Sequence, residues 1–280
     1  MKKRFAPIAG VLFSFILLGV AFFIIHTKLK AFHYHEIVFA LHSISKIHIL
    51  LALCVTFVSY IVMTFYDFLA LRYIHFKLHY FKISFSSFIS YSFSNSMGHP
   101  LITGAVRYRL YSAWGLNAID IAKVVAFCTF TLWLGFVFLS GLFFTIAPMS
   151  IPTGFHFPFN SLRVLGIIFL LVVASYFVLV FFRRIKIPFK KWSFELPHPG
   201  IAISQIIVSS LDWMLAGTVL FILLPQGSGI HYLTFMSFYL LAQVIAVISQ
   251  VPGGIGVFES LMLVLLGNTF TPTMTMAVLL

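Results

Sequence analysis

The sequence predicts an all-α, polytopic membrane protein with broken or re-entrant helices, and three observations carry that prediction. Hydrophobic residues make up 61% of the chain and charged residues 9%, with a mean hydropathy of +1.07, whereas soluble domains carry about a quarter charged residues. Apolar runs repeatedly reach the roughly 20 residues that span hydrocarbon. Two further apolar runs, Phe85 to Tyr111 and Phe235 to Leu261, break at proline and glycine clusters and set an ionisable residue beside the break.

The first element, over 6–26, follows Lys2, Lys3 and Arg4. A cleaved secretory signal would begin in the same way, but this run exceeds a typical signal core and no small-x-small cleavage site follows; a retained span is expected. Further spans are predicted at 47–71, 120–147, 162–182 and 200–224, then an apolar, hairpin-like region at 232–267 and the start of another span after Pro272. Segment 83–103 differs, being rich in serine (Ser84, Ser86, Ser87, Ser90, Ser92, Ser94, Ser96) and ending at Gly98-His99-Pro100. It either crosses or enters and returns. Lys and Arg of short loops concentrate on the cytoplasmic side. With a cytoplasmic N-terminus, a re-entrant 83–103 puts 14 of them inside and 4 outside, whereas a crossing segment gives 7 against 11. Re-entry is the expected topology.

A formal charge of +12 invites a nucleic-acid partner, but the basic residues form short clusters beside spans. Topology signal and attraction to anionic lipid headgroups account for them, with no direct role for nucleic acid. Cys54 and Cys128 lie in apolar segments, so neither a disulfide framework nor a thiol metal site is indicated. His75 and His79 sit in a loop without a metal-ligand constellation. No metal or cofactor is expected, and homo-oligomerisation is left open.

The chain reads as one domain, 1–280, with two repeat halves at 47–147 and 200–280. Asp67 and Asp212 are lone carboxylates in apolar spans about 20 residues upstream of each broken segment, 145 residues apart. Phe-Ser-Ser-Phe at Phe85 and Phe-Met-Ser-Phe at Phe235 are 150 apart; Gly104-Ala-Val-Arg and Gly256-Val-Phe-Glu are 152 apart. Near-constant offsets suggest duplication, and the expected topology makes the halves inverted; chance similarity between Phe- and Ser-rich segments is the competing explanation. Inverted repeats with interrupted helices point to a midplane transport site.

At the breaks, Pro252 removes a donor while Gly253, Gly254 and Gly256 permit positive φ, which frees backbone amides for an anion. Glu259 lies one turn into the following helix, stabilised by its dipole or poised against a cation. Arg107 and Arg109, two apart, suit a phosphate. Charge inside a bilayer is costly and usually marks a polar-solute site. These charges equally suit an internal ion-pair set that only holds helices together. Gly98-His99-Pro100 is either a tight turn or brings His99 in as a ligand, and Gln205, Gln243 and Gln250 are candidates for capping broken backbone. No catalytic residue is assigned.

The segment from Gly98 to Leu116, GHPLITGAVRYRLYSAWGL, and the segment from Gln250 to Leu263, QVPGGIGVFESLML, resemble in sequence and order the two signature segments of the lysylphosphatidylglycerol synthetase transmembrane family. That family takes in the N-terminal flippase domain of MprF and the shorter YbhN/AglD-like proteins. The resemblance covers nearly the whole chain. It implies a bacterial inner-membrane protein that moves aminoacylated phosphatidylglycerol between leaflets, lowering surface negative charge and so resisting cationic antimicrobial peptides. Nothing here resembles the family's cytosolic transferase domain. The run from Met274 to Leu280 ends without a cap, so a fragment or a shortened protein is expected; if the full protein continues, a phosphatidylglycerol lysyltransferase is implied. The expected mechanism has Arg107 and Arg109 on the lipid phosphate, the Pro252 to Gly256 turn supplying amides, and Glu259 with Asp67 or Asp212 receiving an ammonium group. Lipid presentation to a separate catalytic domain and a non-transporting scaffold are the alternatives.

Overall fold

The computed structural model describes residues 42, 44–97, 100–147, 161–182, 187–189, 192–194, 196–224, 229–249, 254, 256–267 and 269–279. The expected first span, 6–26, lies outside them. The described helices are α1 (Lys46–Tyr73), α2 (Tyr80–Met97), α3 (Pro100–Ala113), α4 (Ala118–Ile146), α5 (Leu162–Phe182), α6 (Pro199–Leu223), α7 (Tyr232–Ile248), α8 (Val257–Leu266) and α9 (Pro272–Leu279). A short antiparallel pair, β1 (Ile187–Phe189) and β2 (Trp192–Phe194), interrupts the link from α5 to α6. The protein is an all-α polytopic membrane protein.

Helices α1, α4, α5 and α6 are long and apolar enough to cross a membrane. At 1.5 Å per residue their lengths exceed the roughly 30 Å of hydrocarbon. Local chemistry sets their starts. The Asn117 side chain accepts the Asp120 amide at 2.9 Å to open α4, while the His198 ring accepts the Gly200 amide at 3.1 Å and Pro199 stands in the first turn of α6, where a missing N–H costs nothing. The interior is largely apolar, but large apolar side chains also cover the outside and a few charged and polar groups are buried. Phe57, Phe81, Phe181 and Phe182 point outward, while Asp67, Arg107, Thr131 and Gln205 are buried, as expected where lipid rather than water is the outer solvent.

Residue pairs give the helix directions. Thr131 meets Gln205, Gly135 meets Ser209 and Phe136 meets Trp213, so α4 and α6 run parallel. Gly141 meets Gly166 and Phe130 meets Tyr176, so α5 runs back between them. A Cβ on Gly166 would lie 2.9 Å from the Gly141 carbonyl oxygen; small residues allow this close crossing where lipid gives no hydrophobic drive for association.

The segment expected at 83–103 is an antiparallel helical hairpin. Lys82 Nζ lies over the Trp114 ring at 5.7 Å near its open end, and the Arg107 guanidinium lies over Tyr91 at 4.9 Å deeper in. Helix α3 therefore ends beside the start of α2, so α4 starts at the end of the bundle where α1 finished and runs opposite to α1. Helices α7 and α8 form a second hairpin, with Gly254 against Ala246 and Tyr239 against Phe258 at 5.7 Å. It leaves the far end of α6, so the two hairpins enter the bundle from opposite ends. Their attachments match. Thr64 Oγ1 and Tyr80 OH share a hydrogen bond of 2.6 Å where α2 leaves α1; Thr218 Oγ1 and Tyr232 OH share one of 2.8 Å where α7 leaves α6.

Candidate functional site

The centre of the first half is a charge pair closed by three helices. Asp67, on α1, is 0% exposed and Arg107, on α3, 2%. Arg107 donates from Nε to Asp67 Oδ1 at 2.8 Å and from Nη2 to Oδ2 at 2.7 Å, the planar two-bond fork that an arginine forms with a carboxylate. Tyr111, one turn after Arg107 on the same face, donates its hydroxyl to Asp67 Oδ1 at 2.7 Å. The Tyr91 ring of α2 covers the guanidinium, adding a cation–π contact. Attraction between the charges offsets their desolvation only with such complete pairing.

Asp212, on α6, is handled differently. It accepts Ser59 Oγ at 3.2 Å and Tyr66 OH at 3.0 Å, both from α1, and among the described residues no cation pairs with it. Ser59 and Tyr66 stand seven residues, about two turns, apart and so share a face. Tyr66 also lies 5.9 Å from Tyr91, ring to ring. Asp212, Tyr66, Tyr91, Arg107, Asp67 and Tyr111 therefore form one continuous polar cluster across α1, α2, α3 and α6.

On α2, the buried hydroxyl of Ser90 has no hydrogen-bond partner among the described residues, whereas Ser87 donates to the Met63 carbonyl at 3.0 Å and Ser86 lies against the Tyr111 hydroxyl. Buried hydroxyls are normally satisfied, so Ser90 keeps unused hydrogen-bonding capacity on α2, one residue from the Tyr91 that covers the guanidinium.

The remaining expected residues are placed elsewhere. Arg109 is exposed. Two residues along a helix turn through about 200°, so Arg107 and Arg109 face away from each other and make no common clamp. Glu259 serves its own helix, its Oε2 accepting the Gly256 amide at 2.6 Å, and it makes no described contact with the Asp67 cluster. Gly254 and Gly256 have φ of 67° and 82°, the left-handed turn that glycine allows. His99, Pro252, Gly253 and Gln250 lie outside the described residues. Gln205 caps no broken backbone; it donates to Thr131 Oγ1 at 2.7 Å and accepts Tyr176 OH at 2.8 Å, tying α4, α5 and α6.

Tyr66, Tyr91, Tyr111 and Ser59 were not singled out from the sequence. Tyr111 had a usable signal, since four residues after Arg107 it shares that residue's helix face.

No family model matches the chain. Over 262 residues it is 37% identical to the uncharacterized protein slr0712 of a Synechocystis species, an alignment covering 91% of this chain and 80% of that protein. Over 243 residues it is 30% identical to the inner membrane protein YbhN of Escherichia coli, covering 86% and 76% respectively.

Proposed function

The chain belongs to the family of the inner membrane protein YbhN, and from that premise we propose that it is a membrane lipid translocase carrying an aminoacylated phosphatidylglycerol or a related phospholipid. The observation that carries this reading is the buried Asp67–Arg107 pair closed by the α2–α3 hairpin, in one polar cluster with a carboxylate, Asp212, that has no described cation. A headgroup bearing both a phosphate and an ammonium group can take the place of each partner at once. Arg107 exchanges Asp67 for the phosphate, and the released Asp67, with Asp212, receives the ammonium group. No isolated charge is then left in hydrocarbon, which would be costly.

Two hairpins entering from opposite ends support reading the two halves as an inverted repeat, the arrangement used for alternating access. In this reading the mouth of α2 and α3, with Arg72, Lys77, Lys82 and Arg109 around it, faces the cytoplasm, following the basic-residue bias. The turn at Gly254 and Gly256 acts as the hinge of the second hairpin, its amide at Gly256 already held by Glu259.

The test is a leaflet-access assay with a fluorescent aminoacyl-phosphatidylglycerol in liposomes containing the purified chain. Wild type should expose lipid to an outside quencher faster than empty liposomes; the double neutral variant Asp67→Asn/Arg107→Gln should fall to the empty rate. The completeness of the Asp67–Arg107 fork favours a second reading, a scaffold in which the pair merely pins α1 to α3. Full transport by the double variant would sink the proposed site, and no transport by the folded wild type would leave the scaffold.

A further inference from the structure

A cleft of about 370 Å³ opens where α1 ends and the loop to α2 begins. Phe68, Leu71, Leu78 and Ile83 make its wall apolar, and Arg72, His75 and Lys77 supply its polar groups. No carboxylate lines it, and no described carboxylate pairs with Arg72 or Lys77. Both cations are exposed. Aromatic residues mark the depth. Tyr73 stacks on Phe127, Tyr80 packs on Phe65 and Phe68, and Trp114 lies beneath Lys82. Tyrosine and tryptophan gather at headgroup level, and the cleft sits at the end of a helix long enough to span the bilayer.

The backbone of the loop adds a second observation. The Phe76 amide bonds the Leu71 carbonyl at 3.0 Å, which closes α1 and holds His75 at φ 58°. Glycine is the usual residue at this left-handed position after a helix. A histidine there is held against backbone preference, which in folded proteins accompanies functional positions.

An apolar wall, cations with long apolar stems and a place at the boundary of hydrocarbon and water fit one occupant, a phospholipid with an anionic headgroup. We infer that the cleft at the end of α1 is an interfacial binding site for an anionic phospholipid, distinct from the Asp67–Arg107 cluster, with acyl chain on Phe68, Leu71, Leu78 and Ile83 and phosphate on Arg72 and Lys77. His75 completes the polar edge. This needs the chain only to sit in a membrane, so it stands or fails separately from lipid transport.

The experiment offers the purified whole chain phosphatidylglycerol or phosphatidylcholine in detergent and counts retained lipid by native mass spectrometry. Wild type should retain one phosphatidylglycerol in preference to phosphatidylcholine. Arg72→Gln/Lys77→Gln should weaken retention by about tenfold or more, since each cation contributes to anionic-lipid attraction. Leu78→Trp, which obstructs the wall but keeps both cations, should weaken it as well. His75→Gly should weaken retention while preserving or raising the melting temperature. Lys123→Gln, at a half-buried ion pair outside the cleft lining, should change nothing. Equal retention of both lipids by wild type, or undiminished phosphatidylglycerol on the double variant and on Leu78→Trp, would overturn the site. Displacement by glycerol 3-phosphate would make it a site for free phosphate esters and overturn the lipid assignment.

Discussion

The hairpins α2–α3 and α7–α8 share a build and differ in how they hold charge. Each leaves a long helix through a Thr–Tyr hydroxyl pair and turns back on itself. In the first, the charge of Arg107 is satisfied by a different element, Asp67 of α1, under the Tyr91 ring. In the second, the charge of Glu259 is satisfied within its own turn by the Gly256 amide. Moving α2–α3 away from α1 therefore breaks a buried ion pair, whereas moving α7–α8 carries the Glu259 bond along intact. Similar architecture thus comes with unequal freedom, and the difference lies in whether the charge is held between helices or within one.

The sharpest way to break this comparison is to remove one acid from each hairpin's environment. Asp67→Ala strands the Arg107 guanidinium in a dry site and should cost about 3–5 kcal/mol, the range for breaking a buried pair from one side. Glu259→Ala removes only a helix-start interaction and should cost about 1 kcal/mol. Unfolding of both variants in detergent, followed by circular dichroism, gives the ratio. Equal losses would mean that Glu259 is held by more than its own helix, and the contrast would fail.

Glycine counterparts come next. Gly256 sits at φ 82°, so Gly256→Ala forces a side chain into the left-handed region and should cost roughly 1–3 kcal/mol. Its partner in the proposed repeat, Gly104, lies inside α3, and among the described residues a Cβ there would meet only Val125 Cγ1 at 3.8 Å. Gly104→Ala should raise stability by up to about 1 kcal/mol, because alanine favours helix and restricts the unfolded chain. Opposite signs in the same melting assay support a turn in one hairpin and a continuous helix in the other. A loss at both positions would contradict that assignment.

Span boundaries were legible because a bilayer imposes a length, and composition alone reports it. The reading 162–182 coincides with α5, and 47–71 falls inside α1, Lys46–Tyr73. The break in 83–103 was legible through its Gly98-His99-Pro100 cluster, whereas the helix that follows it, Pro100–Ala113, runs ten residues past the expected end. Which charges meet was not legible. Arg107 and Arg109 were grouped by proximity in sequence, although a helix sends residues two apart to opposite sides. The partner of Arg107 is 40 residues away, and the distance between α1 and α3 is set by packing that no local pattern encodes. The tyrosines that close the cluster are three among 11 in the chain, without spacing that ties them to either aspartate. Gly256 was legible as a turn residue because its cluster signals positive φ directly, but that Glu259 would spend its carboxylate on the turn's own amide followed only from the geometry of the first helical turn.

The smallest effect bears on whether the two halves descend from one unit. Thr64→Val and Thr218→Val each remove one hydroxyl from the Thr–Tyr pairs while keeping side-chain volume. Hydrogen bonds between membrane helices average about 0.6 kcal/mol, so each variant should lose about that much, and the two losses should agree. Because the sites lie on α1 and α6 in separate hairpin attachments, the double variant Thr64→Val/Thr218→Val should show their sum. A loss at Thr64 with none at Thr218 would reduce the second attachment to a contact without the same role, and the repeat would then rest on helix order alone. Matched, additive losses would mean that the hairpins are fastened alike and differ only in how their charges are held.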